Sequence, residues 1–168
     1  MKNLIVTRHA KSNWNTDASS DFQRPLNKRG IGDAPMMAAR LVERGPLPQL
    51  ILTSTARRAL ETTELMLKDA ALTEIQMLTT DSIYEAPLAA LKSAIAKLPD
   101  EINTAMMVGH NPGVSTLCSY LCKAALMQMP TCAMACLKLD VDAWDEIYPD
   151  CASLHWYDYP KSEQGKSQ

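Results

Sequence analysis

Two short apolar runs, each ending abruptly at a histidine, limit what this chain can fold into. Leu4-Ile5-Val6-Thr7 leads straight into Arg8-His9-Ala10-Lys11-Ser12, and Ala105-Met106-Met107-Val108 leads into Gly109-His110-Asn111-Pro112-Gly113. Runs without polar alternation read as strands buried on both faces, the pattern of a parallel sheet covered by helices. Polar chemistry then falls at the carboxyl edge of that sheet, where open α/β folds hold their ligands. Two strand-end histidines, one beside an arginine and one in a glycine turn, point to phosphoryl transfer through an imidazole.

Between the two runs, strand and helix signals alternate. Residues 21–30 are polar and rich in turn formers; Asp33 is a candidate cap for a helix with Pro35 in its first turn, ending at Gly45. Leu50–Thr53 reads as a strand, Arg57–Asp69 as a helix and Ile75–Leu78 as a third strand. Pro87 opens a helix with Leu88, Leu91, Ile95 and Leu98 on one face, and Gly113 to Cys122 forms another after the Thr104–Val108 strand. Ala133–Leu139 and Ser153–Tyr159 read as two late strands joined by a loop around Trp144 and Tyr148. The alternation predicts an α/β fold, a three-layer α/β/α sandwich with a mostly parallel central sheet. Residues 1–160 are expected to form one domain, and 161–168, which lack apolar side chains, a disordered tail.

A formal net charge of −2 gives no basic field for a nucleic-acid backbone. Arg8 and His9 interrupt the amino-terminal apolar run too early for a signal peptide or a membrane span. Five cysteines, an odd set, then fit buried thiols in a reducing cytoplasm. Cys118 and Cys122 share a helix face and Cys132 and Cys136 a strand face, but four residues of strand span about 13 Å, too far for one tetrahedral ion. Met36, Met37, Met106, Met107, Met127 and Met129 read as core filler, and His155 as structural.

An attacking imidazole needs a neutral nitrogen, which histidine offers at neutral pH, and His9 is the candidate nucleophile. A transferring phosphoryl group spreads charge over three oxygens, which arginine forks match. Arg8 can join His9 at one ligand only where the strand runs out into a loop, because strand neighbours point to opposite faces. A further arginine is available at the start of the helix in Thr53-Ser54-Thr55-Ala56-Arg57-Arg58-Ala59, whose free N–H groups also suit an anion. Gly109 lets the backbone turn closely beneath His110, whose ring can hydrogen-bond a phosphoryl oxygen.

These motifs resemble the histidine phosphatase superfamily, with its phosphoglycerate mutase-like fold, and most closely its SixA-type phosphohistidine phosphatases. The likeness runs from Arg8–Ser12 through Asp21–Gly30, Ser54–Thr62 and Val108–Gly113 to Met129–Thr131 and Leu154–Lys161, nearly the whole chain. It implies that His9 is the phosphorylated nucleophile, with Arg8, Arg58 and His110 as the phosphate pocket. Arg58 matches the family arginine because it directly precedes Ala59, which leaves Arg57 as a solvated helix charge. Asn15 falls where relatives often place a phosphate-contacting asparagine. Glu85 is the positional match to the acid that larger relatives hold over the leaving group, although a helix-entry charge is also a plain structural feature. Thr55 stands in place of a frequent proline, and Ala10-Lys11 in place of Gly-Glu. The resemblance implies no metal and no cofactor.

Imidazole is a far better leaving group than an alkoxide, so phosphohistidine cleavage depends less on a dedicated acid. The stretch between the third strand and Gly109 is nearly all one helix, which leaves no long lid. An open site favours phosphohistidine on a protein, such as a phosphorelay domain, over an enclosed metabolite. The alternatives are a phosphatase of small phosphomonoesters and a module that binds phosphate without turnover.

Overall fold

The computed structural model describes residues 1–123 and 128–162. Its elements run β1 (Lys2–Arg8), α1 (Lys28–Arg44), β2 (Leu50–Ser54), α2 (Arg57–Met66), β3 (Gln76–Thr80), α3 (Leu88–Ala96), β4 (Thr104–Gly109), α4 (Gly113–Leu121), β5 (Met134–Leu139) and β6 (Ala152–Asp158). Short 3-10 turns lie at Asp21–Gln23, Asp81–Ile83 and Trp144–Glu146. These strands form one sheet in the order β3-β2-β4-β1-β5-β6. Pairing is parallel from β3 to β1 and antiparallel between β1 and β5 and between β5 and β6.

Period-two alternation explains why the strands read as unbroken apolar runs. Leu4 and Val6 of β1 and Ala105 and Met107 of β4 join one core with Leu91 and Ile95 of α3 and Leu117 and Leu121 of α4. Ile5, Met106 and Val108 join the opposite core with Met37 and Leu41 of α1 and Ala59 and Met66 of α2. The architecture is therefore the expected three-layer sandwich. Burying each leucine-sized side chain contributes roughly 1.5–3 kcal/mol, and the charged residues of β1 stand at its two ends, Lys2 and Arg8.

Register does the rest. β1 and β4 pair from Asn3↔Thr104 to Arg8↔Gly109, and the His9 N–H continues the ladder to Gly109 O at 3.0 Å. Both histidines thus leave the sheet at one level.

The expected start of α1 is corrected. The cap is Asn27, whose side chain accepts the Gly30 N–H at 2.9 Å, and Asp33 lies inside the helix, where it pairs with Arg29 at 3.4 Å. Pro35 is consequently in the helix interior rather than its first turn, between stretches anchored by buried Ala34, Met37 and Ala38. The early start matters for the site, because Asn27 N–H donates to Lys11 O at 2.9 Å and α1 packs against the backbone just after His9. A Cβ on Gly30 would stand 2.2 Å from Lys11 O.

Other differences are smaller. α2 stops at Met66 rather than Asp69, and β3 covers Gln76–Thr80 rather than Ile75–Leu78. Met36 is exposed rather than core, and Met127 lies outside the described residues. Of the residues assigned to the tail, Lys161 and Ser162 are described, with Ser162 buried and donating to Asp158; 163–168 lie outside the described residues. All five cysteines are buried and none forms a disulfide, with Cys118 and Cys122 in one core and Cys132 and Cys136 in the other, so the sheet separates the two pairs.

Gly30→Ala should destabilise the fold by roughly 1–3 kcal/mol through overpacking, lowering Tm in a thermal melt by about 2–4 °C per kcal/mol. An unchanged Tm would show that the α1 contact with Lys11 is not tight.

Candidate active site

Four of the predicted residues converge. β1 delivers Arg8 and His9, β4 delivers His110, and α2 delivers Arg58 from its first turn. The His9 and His110 ring centroids are 5.1 Å apart, and Arg58 Nε donates to His9 Nε2 at 3.3 Å. All four line one open cavity of about 270 Å³. That leaves room for a phosphoryl group and part of what carries it.

The tautomer of His9 follows from its contacts. Nδ1 lies 2.7 Å from Ala10 O, a pure acceptor, so Nδ1 carries the proton. The lone pair is therefore on Nε2, consistent with the N–H that Arg58 directs at it. Ala10 is itself fixed: its N–H donates to Thr62 Oγ1 at 2.9 Å, and Thr62 donates to Arg58 O at 2.7 Å. One turn of α2 thus aims both the nucleophile and its arginine.

Two buried nitrogens at this site have no hydrogen-bond partner among the described residues, Arg8 Nε and His110 Nδ1. The remaining contacts of these side chains hold them in place: Arg8 Nη1 donates to Met129 O at 3.1 Å, and His110 Nε2 bonds Ser54 Oγ at 2.8 Å. Ser54 Oγ also accepts the Ala56 N–H at 3.1 Å. Where the Ser54 hydroxyl donates to Nε2, Nδ1 of His110 bears the ring proton and is a donor. Leaving a buried polar group unpaired costs about 1–3 kcal/mol, which makes these nitrogens candidates to bond an oxyanion in the cavity that their side chains line.

Comparison with known proteins places this geometry in a family. Residues 4–88 match the profile of the Histidine phosphatase superfamily (branch 1). An uncharacterized chloroplastic protein of Arabidopsis thaliana is 35% identical, the match spanning 88% of this chain and 71% of that protein. The chain belongs to the histidine phosphatase superfamily. Among solved structures, one named for phosphohistidine phosphatase SixA from Agrobacterium tumefaciens superposes with a TM-score of 0.77 at 29% identity, covering 95% of this chain and 98% of that one. A SixA structure from Nakamurella multipartitia gives 0.84 at 21% identity, with 96% and 97% covered. One of SixA complexed with tungstate gives 0.79 at 22%, with 94% and 97% covered.

This histidine phosphatase builds more of its site from the loop after β1 than sequence reasoning assigned. Asp21 joins two arginines, accepting from Arg24 Nε at 3.0 Å through Oδ1 and from Arg58 Nη2 at 3.0 Å through Oδ2. Its backbone oxygen takes Arg58 Nη1 at 2.7 Å, and Tyr84 OH donates to Oδ2 at 2.6 Å. Arg24 also reaches Ser12 Oγ at 2.6 Å. The loop has no periodicity to mark it, although the Asp21-x-x-Arg24 pair was a usable signal. Asn15, by contrast, is exposed and not among the cavity-lining residues, in a turn where its N–H binds the Asn13 side chain at 2.9 Å. Glu85 borders the cavity, exposed, with φ +48°. Arg57 is half exposed and faces Glu61 at 3.6 Å, as a solvated helix charge should. His155 is exposed on β6.

Burial first, then the neighbouring His110, Arg58 and Arg8, holds the His9 pKa down at about 3. Burial followed by Arg58 lowers His110 to about 4. The hydrogen bond from Tyr84, aided by those of Arg24 and Arg58, depresses Asp21 to about 2. Both imidazoles of the free protein are therefore neutral at physiological pH, while Asp21 stays charged.

Because the folded histidines sit below the ordinary value of 6.5, acidification loads protons onto the unfolded chain first. Their contribution to stability is complete above pH 6.5 and is lost as the pH falls towards 4 and then 3. An NMR titration should show neither ring taking up a proton between pH 7 and about 5, with tungstate shifting both midpoints upward. A midpoint near 6.5 for either ring would contradict this electrostatic account.

Proposed function

We propose that this histidine phosphatase hydrolyses phosphohistidine on proteins through a phospho-His9 intermediate. The observation that carries the reading is the convergence of Arg8, Arg58 and His110 on one cavity with His9, whose ring keeps its proton on Nδ1 and its lone pair on Nε2. The His9 Nε2 lone pair attacks phosphorus, and the P–N bond to the substrate imidazole breaks. That imidazole departs with the bonding pair as a neutral ring, its other nitrogen already protonated. Arg8, Arg58 and His110 stabilise the charge on the three equatorial oxygens. Water then attacks the phosphorus, the P–Nε2 bond breaks, and inorganic phosphate leaves.

Throughout, the His9 Nδ1 proton stays with Ala10 O. A phosphorylated ring carries positive charge, which that bond stabilises, and it returns as neutral imidazole when the P–N bond breaks. Nucleophile and leaving group are the same functional group, so no strong base must depart and no dedicated acid is required. The open cavity and the 29% identity to a structure named for SixA support a protein-borne substrate.

His9→Ala should reduce turnover of a phosphohistidine protein to background, and quenching the wild-type reaction in base should trap phosphate on His9 by mass spectrometry. Full turnover by the variant would refute the mechanism. Glu85→Gln should leave phosphohistidine turnover within about twofold, whereas a true general acid contributes about 10²–10⁴; a loss of that size would make Glu85 essential after all. A substrate panel decides the class, and much higher kcat/KM on a sugar or nucleoside phosphate than on phosphohistidine would favour the phosphomonoester reading.

A further inference from the structure

We infer that Trp14 is the docking contact for the protein that carries the phosphohistidine, an inference that rests on the function proposed above. Trp14 borders the His9 cavity yet is 75% exposed, an unusual cost for the largest apolar side chain. Its indole is not loose. The Arg24 guanidinium lies 3.5 Å from the ring centroid, backing it, and Arg24 is buried and pinned by Asp21 and Ser12. The chain therefore holds a rigid aromatic plate at the mouth of the phosphoryl pocket.

The shape of the surroundings indicates what meets that plate. Beside the His9 cavity lies a second hollow of about 440 Å³ that shares Glu85, His110 and Asn111 with it and is otherwise walled by Ala86, Pro87, Pro112 and Gly113. A phosphoryl group fills neither this hollow nor the outer face of Trp14. A folded protein presenting its phosphohistidine side chain into the cavity covers both, seating an apolar side chain beside the phosphohistidine on the indole. Tryptophan and arginine are the residue types that dominate binding energy at protein interfaces. Trp14 touches no reacting atom, so it governs recognition of the carrier and not the chemistry.

The test compares a phosphohistidine protein with N-phosphorylimidazole, which has the same scissile bond and no carrier. Trp14→Ala should raise KM for the protein by about tenfold or more with little change in kcat, leave N-phosphorylimidazole turnover unchanged, and be largely rescued by Trp14→Phe. Equal losses on both substrates would overturn the inference by making Trp14 a support for Arg24; no loss on either would overturn it outright. Wild-type protein that cleaves N-phosphorylimidazole but not the phosphoprotein would overturn the functional reading and this one together. The separate failure of each is therefore recognisable.

Discussion

The site depends on a backbone constraint, the parallel register of β1 against β4. Arg8 opposite Gly109, with the His9 N–H on Gly109 O, sets two histidines at the same height although they are far apart along the chain. A slip of one residue would turn each strand's side chains to the opposite face. That slip is prevented by the two cores themselves, since β1 and β4 each present alternate apolar residues to helices on both sides. Packing thus specifies register, and register specifies the catalytic geometry.

What the register brings together would be unfavourable without a ligand. Two arginines and two imidazoles share a buried space, and the molecule answers by keeping the imidazoles neutral and placing Asp21 between Arg24 and Arg58. Even so, Arg8 Nε and His110 Nδ1 have no hydrogen-bond partner among the described residues. Donors that an oxyanion can take up without displacing a partner supply the preorganisation that phosphoryl transfer rewards, while Arg58 Nε releases the His9 Nε2 lone pair before that nitrogen attacks.

Much of this was legible in the residues. Buried parallel strands announce themselves as continuous apolar runs, so β1, β2 and β4 were found nearly to their ends, and the abrupt change at Arg8-His9 and Gly109-His110 marked the site. The late strands were found to within one residue. Less legible were features that depend on tertiary contact. The start of α1 lies at Asn27 rather than at the Asp33 cap read from the sequence, because Asn27 is held by its backbone bond to Lys11 O as well as by its capping side chain. Asn15 looked suitable by position but turned outward, while Asp21, Arg24 and Tyr84 acquire their roles only when an irregular loop folds back over α2. Loop geometry has no period to read, and side chains recruited by it are found from coordinates.

The most direct test of the central claim is the crystal structure of the protein soaked with tungstate, a phosphoryl mimic. The account predicts tungsten bound next to His9 Nε2, with oxygens accepting from Arg8 Nε, Arg58 and His110 Nδ1. Tungstate seated elsewhere, or held without Arg8 and His110, would contradict it.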